Sequence, residues 1–254
     1  MTNDFLSELL TRYPKTRPPL SREIEKIYSE HYQDNREGNT VASSLAQKME
    51  AWLHRMVASD LAGSDSVKHT LELGAGTLNQ LKYEPAQGAY DVVEPFKKLY
   101  EGKRELKRVR TIFTDISEVP LALRYDRITS VATLEHIVNL PYVVAISALH
   151  LNDNGVFRAS IPSEGTFLWR LGWQLTTGLE FRIKYGLDYG DLMRHEHVNT
   201  AKDIADVLGY FFAKIETKVF GVAKPISLYQ FYGCANPCLE RCGEYLRMAP
   251  AKSG

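Results

Sequence analysis

The chain is poor in the features that mark specialised proteins. Among 254 residues there are only 3 cysteines, too few and too late in the chain for a disulfide framework. No apolar run approaches the roughly 20 residues that a membrane helix needs. The N-terminal stretch MTNDFLSELLTRYPKTRPPL has no cationic start followed by an apolar segment, so no secretory signal is expected. Neither charge sign is in excess: 31 basic residues face 31 acidic ones, and no global field draws the chain to nucleic acid or anionic lipid. There is no internal repeat and no low-complexity tract. What remains is the expectation of a cytoplasmic chain with no membrane span, long enough for one large α/β domain with decorations.

The most informative stretch is His69 to Thr77, HTLELGAGT. A short β-prone run ends at the acid Glu72 and then at Gly74-Ala75-Gly76-Thr77. Two glycines one residue apart at a strand end let the backbone turn sharply and approach a ligand with no Cβ in the way. A helix starting there would aim unpaired N–H groups at the ligand. A dinucleotide-binding loop would place a third glycine where this chain has Asn79, so the fit to a pyrophosphate is poor. Further strands are expected at Tyr90–Val93, ending at Glu94-Pro95, and at about Val109–Phe113, ending at Thr114-Asp115-Ile116. A fourth, Tyr125–Val131, leads into Ala132-Thr133-Leu134-Glu135-His136.

Taken in order, Glu72, Gly74, Gly76, Glu94, Asp115 and Leu134-Glu135-His136 resemble the class I S-adenosylmethionine-dependent methyltransferases, over residues 68–233. One element departs: a further glycine common in that family is Leu78 here. The resemblance implies a Rossmann-like α/β fold, a seven-stranded, mostly parallel sheet with helices on both faces and an antiparallel last strand. It implies S-adenosylmethionine as cofactor. Gly74, Ala75, Gly76 and Thr77 would pass close to its methionine end, with Glu72 orienting the loop or the amino group. Glu94, followed by Pro95, would take the ribose hydroxyls; Asp115 would take the adenine amino group, with Ile116 packed on the base. Ala132 and Thr133 would line the methionine side.

The acceptor side rests on fewer signals. His136, one turn past the fourth strand, is the best placed general base, because histidine titrates near neutrality; a structural histidine starting the next helix is the other reading. Glu135 and His197 are its companions among the candidate catalytic residues. His195-Glu196-His197 has the look of a metal pair but lacks a third placed ligand, so no metal site is assigned. Residues 166–199 hold Arg170, Arg182, Lys184, Tyr185 and Tyr189, and the segment is longer than a plain connection needs. It is read as an amphipathic lid over the acceptor, with a homodimer interface as the alternative. Tyr185, Tyr189, Arg170 and His195 are the candidate acceptor-binding residues. The expected acceptor is a small molecule: a sugar, a nucleotide-linked sugar or a phosphorylated metabolite, methylated on oxygen. A nicotinamide-dependent oxidoreductase and a catalytically silent S-adenosylmethionine-binding module are the rival classes.

The remaining organisation follows composition. Residues 1–66 read as an N-terminal helical extension, 67–233 as the core and 234–254 as a tail. Arg17-Pro18-Pro19 is hostile to helix, and residues 1–20 are expected to pack poorly. Helices are expected at Ser21–Tyr32, and from about Ala42 to Val57 against an edge of the sheet. The polar loop 33–39 between them is read as a flap over the cofactor. Cys234, Cys238 and Cys242, spaced C-x3-C-x3-C, are expected on successive turns of one helix and to bind nothing.

Overall fold

Short strands that stop at glycine, proline or an acid assemble here into one sheet. A computed structural model of the chain describes residues 2–25, 27, 44–63, 66–85, 88–175 and 177–249. The strands are β1 (Thr70–Leu73), β2 (Tyr90–Val93), β3 (Thr111–Phe113), β4 (Tyr125–Val131), β5 (Leu151–Pro162), β6 (Phe212–Ala223) and β7 (Ile226–Pro237). They form a seven-stranded sheet in the order β3-β2-β1-β4-β5-β7-β6. β1 to β5 are mutually parallel, whereas β7 runs antiparallel to β5 and β6. The strand order reverses between β1 and β4, and at such a switch point the loops diverge and leave a crevice at the carboxyl ends.

The helices are α1 (Thr2–Arg12), α2 (Ser44–Ala58), α3 (Leu140–Leu149), α4 (Phe167–Leu175), α5 (Thr177–Tyr185), α6 (Tyr189–Glu196), α7 (Ala201–Phe211) and α8 (Leu239–Met248). Strand alternation decides which face each covers. Arg158 and Ser160 of β5 turn to α2, where Arg158 Nε donates to the Val57 carbonyl at 2.7 Å and Ser160 Oγ to that of Leu53 at 2.9 Å. Their neighbours Phe157, Ala159 and Ile161 point the other way, into a core shared with α3, α7 and α8. Helix α2 therefore lies across the interior strands β4, β5 and β7, not at the sheet edge as the sequence suggested. Arg127 of β4 shares that face, fully buried and paired with Glu84 at 2.6 Å and Asp60 at 2.8 Å. Losing either partner would leave an expensive buried charge.

Two expectations are corrected. Residues 1–20 do not pack poorly: Leu6, Leu9 and Tyr13 are buried in the main core. Phe5, Leu6, Leu9 and Leu10 recur at three- and four-residue steps and give α1 an apolar face. The three cysteines do not share a helix either. Cys234 is in β7, Cys238 precedes α8 and Cys242 lies within it. Burial pushes the Cys234 and Cys242 thiols up to about 12, so neither offers a thiolate near neutral pH. Helix α8 brings Cys242 and Tyr245 into the main core.

Helices α4, α5 and α6 lie within the segment 166–199, and Thr200 starts α7 through a reciprocal capping box with Asp203. Of the helix expected at Ser21–Tyr32, residues 22–25 are helical. Its later part, the loop 33–39 and the first residues of the helix from Ala42 lie outside the described residues. Among those described, no helix is long and apolar enough to cross a membrane.

Candidate active site

The glycine loop after β1 is held by sterics and by one carboxylate. Gly74 and Gly76 have φ of +66° and +49°, a region that L side chains enter at a cost of roughly 1–2 kcal/mol. A Cβ at Gly74 would run into the Thr133 side chain, whereas one at Gly76 would meet no protein atom within 4 Å. The first glycine thus permits the β1 and β4 loops to touch, and the second keeps space open. Leu78 takes φ +64° and is fully buried; the loop makes a glycine-type turn there and anchors it with an apolar side chain. Glu94 at the end of β2 closes the arrangement. Its Oε2 accepts the Gly76 N–H at 2.8 Å and its Oε1 the Phe96 N–H at 2.9 Å.

These loops surround a cavity of about 760 Å³, within the usual range for a small-molecule site. Its wall includes Glu72, Gly74, Ala75, Gly76, Thr77, Glu94, Pro95, Asp115, Ile116, Ala132 and Thr133, so every residue expected at the cofactor comes together. Ala132 has φ +48°, a strained conformation for alanine, of the kind that concentrates at functional sites. Asp115 accepts the Ser117 N–H at 2.8 Å through Oδ1 and starts the turn that buries Ile116. Glu72 is buried and accepts from the Tyr90 hydroxyl at 2.8 Å. Burial raises its pKa to about 8, with help from the charges of Glu84 and Glu94 and against the Tyr90 bond. The carboxyl is therefore mostly protonated at neutral pH.

At the other end the wall is made by His136, His195 and Glu196, joined by Arg17. Arg17 donates to the carbonyls of His195 and His136, each at 2.7 Å. His195 Nδ1 in turn donates to the Pro18 carbonyl at 2.7 Å. Arg17 and Pro18 thus form a strap tied to the turn after β4 and the end of α6. His136 donates through Nδ1 to the Glu196 carbonyl at 2.9 Å, and its ring lies 4.8 Å from that of His197. His197 donates through Nδ1 to Glu164 at 2.8 Å, and the Trp169 indole donates to the same oxygen at 2.6 Å. Burial alone would lower the His197 pKa; the Glu164 hydrogen bond and the charges of Glu135, Glu164 and Glu196 outweigh it, and the pKa is raised. Glu135 is buried beside His136, with Oε1 3.8 Å from His136 Nε2.

The metal-like pair read from the sequence is not formed by its own two histidines. His195 turns to Pro18, while His197, at the end of α6, joins Glu135 and His136. Three of the four acceptor candidates are placed elsewhere. Arg170 is exposed, and Tyr185 and Tyr189 pack around Phe181 at 4.9 and 5.3 Å; none of them lines the cavity. Helical phase is the reason: α4 and α5 turn their basic and tyrosine positions away, and only the C-terminal end of α6 reaches the cavity. Sequence reasoning missed Arg17 and, at the cofactor end, His54 and Gln80. His54 Nδ1 donates to Gln80 Oε1 at 2.8 Å, and burial lowers the His54 pKa. A histidine on the apolar face of a helix was the available signal for this pair.

No family model and no curated protein matches the chain. Solved structures do match. The plantazolicin methyltransferase BpumL, in complex with a monoazolic desmethylPZN analog and S-adenosylhomocysteine, superposes with a TM-score of 0.60 at 11% identity, covering 93% of this chain and 100% of that one. This is the Rossmann-like methyltransferase fold. An O-methyltransferase family protein from Burkholderia thailandensis gives 0.53 at 12% identity over 92% of this chain and 70% of that one. The CurJ carbon methyltransferase gives 0.52 at 17%, over 86% and 72% respectively. At such identities the likeness is one of fold. These proteins are named for acceptors of different kinds, so the fold leaves the methylated atom open.

Proposed function

We propose that the chain is an S-adenosylmethionine-dependent methyltransferase acting on an oxygen of a neutral, hydroxylated small molecule such as a sugar. The observation that carries this reading is the convergence of Glu72, Gly76, Glu94 and Asp115, from three strand ends, on one cavity. The residues present fit the cofactor. Gly76 faces open space, and each Glu94 oxygen accepts one amide bond and has a lone pair left for a ribose hydroxyl. Asp115 and Ile116 supply an acceptor and an apolar face for the base.

S-adenosylmethionine supplies a methyl group on a positively charged sulfur, ready for in-line transfer. The protein's work is then alignment and exclusion of water. Glu72, protonated in the unliganded chain, can ionise to meet the amino group. His136 carries its proton on Nδ1, which leaves an Nε2 lone pair at the acceptor end, where the nucleophile must lose its proton. Arg17 is the only cationic side chain in the wall among the described residues, and its guanidinium is spent on main-chain carbonyls. A neutral, hydroxyl-rich acceptor therefore suits the site better than a phosphorylated one. Calorimetry with S-adenosylhomocysteine, followed by turnover assays on sugars, nucleotide-linked sugars and phosphorylated metabolites, tests both halves of the reading.

A further inference from the structure

We propose that Glu135, His136 and His197 bind one divalent transition-metal ion beside the cavity, whose wall includes His136 but neither Glu135 nor His197. One ligand atom from each lies within 4.8 Å of the other two. The hydrogen bonds around them fix which ring nitrogen carries the proton in each histidine. A carbonyl only accepts, so His136 Nδ1, 2.9 Å from the Glu196 carbonyl, carries the proton and Nε2 the lone pair. His197 Nδ1 donates to Glu164 at 2.8 Å, and Trp169 pins that carboxylate from the other side. An acceptor behind the far nitrogen of each imidazole is the arrangement that orients metal-binding histidines and makes them more basic.

The donor set and the field point the same way. Two imidazoles and a carboxylate are the ligands of catalytic zinc sites and of other three-ligand divalent centres. Glu164 and Glu196 add negative charge within 3.5 Å of the two rings, and Arg17 opposes them at 4.0 Å from Glu196. Metal bonds of about 2.0–2.2 Å place ligand atoms no more than ~4 Å apart, so the rings close slightly on binding. Three protein ligands leave a position for an acceptor oxygen, whose proton is then lost to bulk water near neutral pH. This purpose rests on the methyl-transfer reading and places His136 Nε2 on an ion that acidifies the acceptor.

Cobalt(II) is the probe. The tag-free chain is titrated with cobalt chloride, followed by visible absorption and calorimetry, and each variant is also titrated with S-adenosylhomocysteine to show that it is folded. One equivalent of cobalt is expected, with the visible bands of a low-coordinate site. Those bands vanish in Glu135→Gln, His136→Ala and His197→Ala. Glu164→Gln weakens cobalt binding by about 10–100-fold, and His195→Ala leaves it unchanged. A wild-type chain that binds S-adenosylhomocysteine but takes up no stoichiometric cobalt overturns the site and leaves methyl transfer standing. So does cobalt binding that survives His197→Ala. A chain with no affinity for S-adenosylhomocysteine overturns the methyl-transfer reading instead, whatever cobalt does.

Discussion

The Glu94 carboxylate accepts the Gly76 amide at 2.8 Å, tying the end of β2 to the glycine loop of β1. The same group thus shapes the loop and faces the cavity. Hydrogen bonds to a charged group are worth about 1.5–3 kcal/mol each. Glu94→Ala is expected to weaken S-adenosylhomocysteine binding by at least tenfold in calorimetry. Unchanged affinity would remove Glu94 from the ribose site.

Gly74 and Gly76 are expected to respond differently to alanine. Both substitutions carry a positive-φ penalty of about 1–2 kcal/mol, but only Gly74→Ala also displaces Thr133. Gly74→Ala should therefore lower the melting temperature more. Gly76→Ala, whose new methyl group enters open space, should show the larger loss of cofactor affinity relative to its loss of stability. Equal shifts in both measurements would contradict this division of labour.

Glu72 makes stability and binding depend on pH. With a folded pKa of about 8 against an ordinary value of 4.5, the folded chain holds a proton that the unfolded chain releases above about pH 4.5. Stability is then undiminished below that point, falls as pH rises toward 8, and levels off beyond it. Denaturant titrations should show this decline in the wild type and its loss in Glu72→Gln. Binding of an ammonium group should ionise Glu72. S-adenosylhomocysteine should accordingly release a proton at pH 7, seen as a buffer-dependent enthalpy, while 5′-methylthioadenosine, which lacks the amino acid end, should not. Identical proton release by the two ligands would exclude Glu72 from the amino-group site.

His136→Ala is expected to lower turnover by roughly 10²-fold or more, in line with the loss of a group that handles the acceptor's proton. Cofactor affinity should stay within about threefold, because His136 lies beyond the cofactor's contacts. Steady-state assays paired with calorimetry separate the two effects. Full activity in this variant would leave His136 with a structural role only.

How far the site could be read beforehand depends on sequence distance. Glu72, Glu94 and Asp115 were legible because each ends a short apolar strand, and parallel strands bring their carboxyl ends to one rim. The fold followed from the same signals, down to the antiparallel β7. The contact of His136 with His197 was not legible: one follows β4 and the other caps α6, and no local pattern sets that approach. Arg17 escaped notice because Pro18-Pro19 reads as a break rather than as part of a site. Arg170, Tyr185 and Tyr189 misled for the opposite reason. Their composition suits a binding surface, but helical phase turns them toward solvent or toward Phe181.

The central claim is a cavity built to hold an adenosyl amino acid, and direct titration of the purified chain with S-adenosylhomocysteine tests it. One saturable site per chain is predicted, accompanied by a rise in melting temperature and weakened by Glu94→Ala. Absence of both heat and thermal stabilisation at millimolar ligand would contradict the account.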